Sequence, residues 1–123
     1  MAKKILIIED EKVLLDLLEK RMRAEGYDVA VALDGENGIQ KAEEYRPDLI
    51  LLDIIMPKKD GFEVMEELAA DQELKKIPVI IVSNSGQPVE IERVKKLGAR
   101  DWLVKTEFDP KEVVDKVVAQ IGK

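Results

Sequence analysis

The stretch DLILLDIIMPKKDG, residues 48–61, decides the fold. Leu49 to Leu52 are apolar without alternation, the pattern of a strand covered on both faces. Such strands belong to parallel sheets with helices packed on each side. Asp53 stands where this strand should end, with Ile54, Ile55 and Met56 still apolar beyond it. A carboxylate at the margin of a core is costly unless something pairs with it.

The rest of the chain repeats the same unit. KKILII (3–8) leads into Lys12 to Glu25, where Val13, Leu14, Leu17, Leu18 and Met22 fall at helical spacing and Gly26 stops the helix. YDVAVAL (27–33) alternates and reads as a strand at or near a sheet edge. Asp34 and Gly35 make a turn, ENGIQKAEEY (36–45) is a second helix, and Pro47 closes it. After the 48–53 strand, a third helix starts at Asp60 or Gly61 and runs to about Ala70. Pro78 opens VIIVS (79–83), Pro88 fits the first turn of a fourth helix through Leu97, and Gly98 ends it. DWLVK (101–105) is the fifth strand. Asp109 and Pro110 have the N-cap and first-turn chemistry of a last helix, with Val113, Val114, Val117, Val118 and Ile121 on one face. Strict β/α alternation with right-handed crossovers predicts an α/β fold: a doubly wound, five-stranded parallel sheet of order 2-1-3-4-5 with five helices.

The totals agree with one domain over residues 1–123. The chain is 46% hydrophobic and 37% charged, with a net charge of −6. Nucleic acid would need a basic footprint, so none is expected as a partner. No apolar run is long enough to cross a membrane, and MAKK leads straight into a strand rather than a signal peptide. A cytoplasmic location is the simplest expectation. With no Cys and no His, thiolate metal sites, the usual zinc sites and His-dependent triads are excluded. The available nucleophiles are hydroxyls, lysines and carboxylates.

Ligands of such sheets bind at the carboxyl ends of the strands, near the point where strand order reverses. Strand one ends in Glu9, Asp10 and Glu11, strand three in Asp53, strand four in Ser83 followed by Asn84, and strand five in Lys105. Strand two ends near Leu33 with no special group. Each residue has an ordinary reading of its own: Asp10 as a helix cap, Glu9 and Glu11 as solvated acids, Asp53 and Ser83 as turn residues, Lys105 as a surface cation, Trp102 as core. Their collection at one end of consecutive strands argues for a site. Carboxylates crowded together raise one another's pKa, and a hard divalent cation such as Mg2+ relieves them. Lys105 suits a phosphoryl group and Ser83 can donate to a phosphoryl oxygen. The set points to phosphoryl transfer with Asp53 as nucleophile.

Four segments, ILIIEDE (5–11), LILLDIIMPKKDG (49–61), VIIVSNS (79–85) and GARDWLVK (98–105), together resemble the response-regulator receiver domain of two-component signalling. The resemblance spans essentially the whole chain and implies a flavodoxin-like fold. It implies that Asp53 takes a phosphoryl group from the phosphohistidine of a sensor histidine kinase or a phosphotransfer protein. Asp10, Asp53 and the backbone carbonyl of Ile55 would hold Mg2+, with Glu9 acting mainly through bound water. Lys105 would pair with the phosphoryl group, and Ser83 would move to hydrogen-bond it. Trp102 would be the switch aromatic, coupling the site to the face of helix four, strand five and helix five, and Gly61 would permit the close approach to helix three. The output would be a downstream protein, reached by a monomer or a phosphorylation-dependent dimer. The chain departs from the family at Thr106, where Pro is usual, at Asn84, where a small residue is usual, and at Trp102, where Tyr or Phe is usual. The rival readings are a pseudo-receiver that acts as a scaffold without phosphorylation, and a small Mg2+-dependent phosphatase, which has no spare residues for a substrate cap. The acidic EDEK (9–12) argues against a flavin carrier.

Overall fold

A computed structural model describes residues 2–56, 58–84, 88–105 and 109–123, with the side chains of residues 88 and 89 left aside. The strands are β1 (Lys4–Ile8), β2 (Asp28–Ala32), β3 (Leu49–Leu52), β4 (Val79–Ser83) and β5 (Asp101–Val104). They alternate with α1 (Lys12–Ala24), α2 (Gly35–Tyr45), α3 (Gly61–Ala70), α4 (Pro88–Lys96) and α5 (Pro110–Ile121). A short 3-10 turn, Leu74–Lys76, precedes β4 and is absent from the sequence reading. All strand pairs are parallel, in the order β2-β1-β3-β4-β5, as expected.

The unbroken apolar runs follow from burial on both faces. Ile5 and Ile7 of β1, Leu49 and Leu51 of β3, and Ile80 and Val82 of β4 point to one core, filled by Leu15, Leu18 and Met22 of α1 and Val113, Val114 and Val117 of α5. Their neighbours Leu6, Ile8, Ile50, Leu52 and Ile81 point the other way, onto Val64, Met65 and Leu68 of α3 and Val94 of α4. Each fully buried aliphatic side chain contributes about 1.5–3 kcal/mol relative to exposure. On α1 the buried stripe differs from the predicted one. Leu15 is inside, whereas Val13 is 86% and Leu17 48% exposed. Apolar residues surround most of this helix, and spacing alone does not select which stripe meets the sheet.

Capping chemistry sets the helix starts. Asp109 accepts from the Glu112 amide, with Pro110 at the first helical position. Asp60 and Glu63 form a reciprocal capping box. Asp34 accepts from the Asn37 amide at 2.8 Å, so residues 34 and 35 begin α2 instead of forming a separate turn. Gly61 lets α3 start directly against the end of β3. A Cβ there would lie 2.5 Å from the Asp53 carbonyl oxygen and 2.6 Å from the Ile54 Cα. The Gly61 amide donates to the Ile54 carbonyl at 2.7 Å, closing the β3–α3 loop at its base.

Candidate functional site

Backbone pairing places the acids. The Glu9 amide donates to the Ala32 carbonyl at 3.0 Å, and the Asp53 amide to the Ile8 carbonyl at 2.9 Å. The ladders therefore run one residue past β1 and β3, adjacent strands paired through Ile8 and Leu52, and their acidic side chains emerge side by side. The Lys105 amide donates to the Ser83 carbonyl at 2.7 Å, which fixes the residue after β5 against the end of β4.

Lys105 is what Asp53 meets. Its Nζ lies 2.9 Å from Glu9 Oε1, 3.2 Å from Glu11 Oε2 and 3.3 Å from Asp53 Oδ2. The Lys105, Glu9 and Asp53 side chains are only 5%, 2% and 3% exposed, so this is a buried cation among buried acids. Glu9 Oε2 also accepts from the Glu11 amide at 2.9 Å.

One cation does not fully offset this many buried acids. Burial, then the negative charge of Glu9, pushes the Asp53 carboxyl up to about 7, against the pull of Lys105. Burial also raises Glu9, against the Glu11 amide and Lys105. Burial alone would lower Lys105, but the surrounding carboxylates outweigh it and the ammonium is held above its ordinary value. The crowding expected from the sequence is thus present, and it falls most heavily on Asp53.

The remaining predicted residues divide between the cluster and its surroundings. Asp10 is exposed beside the buried pair and does not cap α1, whose N-cap is Glu11 without a side-chain cap bond. Ser83 is buried, 1% exposed, as the last residue of β4. Ile55 lies two residues past Asp53, is 67% exposed and has no side-chain donor atom, so any contribution to a cation would come from its main chain. Trp102, opposite Ile81 in the β4–β5 register, packs partly buried against the core shared with α3 and α4. Its Nε1 is buried without a hydrogen-bond partner. Thr106 lies outside the described residues, and so does the loop it belongs to.

Two features escaped the sequence. The end of β2 does carry a special group: Asp34 is 7% exposed, caps α2, and lies 3.7 Å from Lys58 Nζ. The signal was available in Asp-Gly ahead of a helical pattern, which reads equally as a turn or as an N-cap. Glu11 joins the site through Lys105, although its side chain stays 54% exposed.

The donor set fits a hard divalent cation. Oxygens of Glu9, Asp10 and Asp53 lie within 4.8 Å of one another. Glu9 Oε1 and Asp53 Oδ2 are buried without a well-aligned hydrogen-bond donor, although Lys105 Nζ is near both. An all-oxygen group of carboxylates matches the preferences of Mg2+ and not those of softer metals.

A family model described as the response regulator receiver domain matches residues 5–118. The chain is 39% identical over 119 residues to the alkaline phosphatase synthesis transcriptional regulatory protein PhoP of Bacillus subtilis, covering 97% of this chain and 48% of that protein. It therefore spans about half the length of that relative. Among solved structures, the chemotaxis protein CheY4 of Vibrio cholerae superposes with a TM-score of 0.92 at 26% identity, over 98% of this chain and all of that one (100%). The receiver domain of sensor histidine kinase PA1611 from Pseudomonas aeruginosa, solved with a magnesium ion coordinated in its active site cleft, superposes with a TM-score of 0.89 at 28% identity, over 100% of both chains.

Proposed function

The chain belongs to the response regulator receiver family of two-component signalling, and on that premise we propose that it is a phosphorylation-controlled switch whose phosphoacceptor is Asp53. The observation that carries the reading is the buried contact of Lys105 with Asp53 and Glu9. It joins a carboxylate nucleophile to a cation suited to a phosphoryl group.

In this reading Asp10, Asp53 and the Ile55 carbonyl hold Mg2+, with Glu9 behind them. The ion supplies charge neutralisation for incoming phosphoryl oxygens. Asp53 attacks phosphorus through a carboxylate oxygen, the phosphorus–nitrogen bond of the donor phosphohistidine breaks, and an acyl phosphate forms on Asp53. Lys105 stays on the phosphoryl oxygens, and Ser83 donates to one of them. The chemistry is confined to this chain's own aspartate, so the domain acts on no outside substrate.

The new charge biases a two-state element. Ser83 shifts toward the phosphoryl group and Trp102 turns inward beside it, altering the surface made by α4, β5 and α5. A downstream protein reads that surface, from a monomer or a phosphorylation-dependent dimer. The donor is a sensor histidine kinase or a phosphotransfer protein. Residues 1–123 work as a single receiver domain, in the cytoplasm. Among the described residues no helix is long and apolar enough to cross a membrane.

Intact-mass measurement after incubation with acetyl phosphate and Mg2+ tests the proposal. One added phosphoryl group is expected on the wild type and none on Asp53→Asn. No addition to the wild type, where a working receiver is labelled in parallel, would favour the phosphorylation-independent scaffold.

A further inference from the structure

The β3–α3 loop, of which residues 53–56 and 58–60 are described, carries the main-chain group that the functional reading above assigns to Mg2+, so its placement matters to the site. Its base is tied by Gly61 to the Ile54 carbonyl. Its outer side rests on α2. A Cβ on Gly35 would collide with the Lys59 carbonyl oxygen and would come within 2.8 Å of the carbonyl carbon and 2.9 Å of the Lys59 Cβ. The first two are backbone atoms and the third is fixed directly to the backbone, so none can swing aside as a side-chain tip does. Beside them Lys58, held at a left-handed φ of 67°, reaches to 3.7 Å from the buried Asp34 carboxylate. Asp34 itself is fixed by the Asn37 amide at 2.8 Å and the Asn37 side-chain amide at 3.1 Å. On the other flank Lys59 Nζ bonds to Glu67 of α3 at 2.6 Å.

A left-handed non-glycine residue persists only where its surroundings over-determine it. Here the surroundings are the first turn of α2. We propose that Asp34 and Gly35 are positioning residues for the phosphoacceptor loop: the bare Gly35 backbone seats the Lys59 carbonyl, the Asp34 carboxylate holds Lys58, and the pair fixes the height of residue 55 beside Asp53. Neither residue touches the reacting atoms. Both act through the loop, from a helix that contributes no acid to the site. The consequence for the cation rests on the functional reading above, whereas the seating of the loop does not.

Gly35→Ala is the direct probe, with Ala42→Gly as its control. Ala42 is fully buried in the same helix, two turns and about 10 Å along the axis from Gly35, so the control weakens α2 away from the loop seat. In chelator, hydrogen exchange of the Gly61 amide and its loop neighbours should speed up at least tenfold in Gly35→Ala relative to the control at matched global stability. In calorimetric titration, Mg2+ should bind Gly35→Ala about tenfold more weakly than the control. Asp34→Ser keeps a capping oxygen but removes the charge that holds Lys58. It should show a smaller change in the same direction, and it carries the test if Gly35→Ala does not fold. Equal loop exchange in the probe and the control would overturn the proposal. If the wild type bound no Mg2+, the functional reading would fail, while the exchange comparison would still decide the seating of the loop.

Discussion

Asp53 sits in its pocket with a proton affinity close to neutrality, pushed from the ordinary 3.8 up to about 7. A carboxyl that holds its proton more tightly in the folded chain than in the unfolded one costs stability as pH rises. Below about 4 both forms are protonated and the cost is absent; it grows up to about 7 and is complete above that. Asp53→Asn imitates the protonated form. In chelator it should therefore exceed the wild type in stability at pH 8 by an amount on the order of 2–4 kcal/mol, with the gap closing toward pH 4. Urea unfolding of both proteins across that range measures it. A gap that stayed constant with pH would mean that Lys105 already compensates Asp53 in full. The identities of the residues in this cluster were legible in the sequence, because acids, hydroxyl and lysine fall at the same ends of successive strands. Their pairing was not. A lysine twenty-odd residues beyond Ser83 reads as an opposing charge, and only the turn after β5 shows that its Nζ reaches Glu9, Glu11 and Asp53 together.

Among the elements, α1 shows where periodicity stops being informative. Val13 and Leu17, Leu14 and Leu18, and Leu15 with Leu18 and Met22 are all possible apolar stripes on one helix. The sheet accepts the last, and Leu14 packs partly against it. Val13→Lys should accordingly change stability by no more than about 0.5 kcal/mol, as an exposed substitution does. Leu15→Ala, at a buried position the predicted stripe leaves out, should cost about 2–5 kcal/mol through lost burial and the cavity left behind. Chemical denaturation of the two variants distinguishes the observed stripe from the predicted one. The strands were read well, since runs covered on both faces leave no choice of side to get wrong. The 3-10 turn at Leu74–Lys76 was missed because it is held by the Asp71 side chain, which accepts from the Glu73 and Leu74 amides at 2.9 and 3.0 Å. A single side-chain acceptor leaves no periodic trace. The start of α2 was misread for a related reason: Asp-Gly serves a turn and a helix N-cap equally well, and only the Asn37 amide bonding back to Asp34 shows the second.

For the molecule as a whole, the carboxylate cluster exists only once β1 and β3 are side by side, so a cation that needs it binds the folded state alone. Mg2+ at ten times its dissociation constant should add about 1.4 kcal/mol to wild-type stability. It should add much less to Asp10→Asn, which lacks one of the carboxylates. Thermal unfolding over a Mg2+ titration reads both, and a melting temperature indifferent to Mg2+ would count against the site. The opposite pole of the sheet is tied off differently. There Lys3 Nζ bonds to the Ile121 carbonyl, the Tyr27 hydroxyl donates to the Gly122 carbonyl at 2.7 Å, and Lys123 pairs with Glu25 at 3.1 Å. Residues 3 and 121 thus meet a full strand length from Asp53, about 16 Å for five residues of β1. A dye or affinity handle joined at either end would leave the protein at this far pole, clear of the carboxylates and poorly placed to sense them. The indole of Trp102, the chain's single tryptophan, packs against the core near the acidic end and is the fluorophore better placed to report on it without labelling.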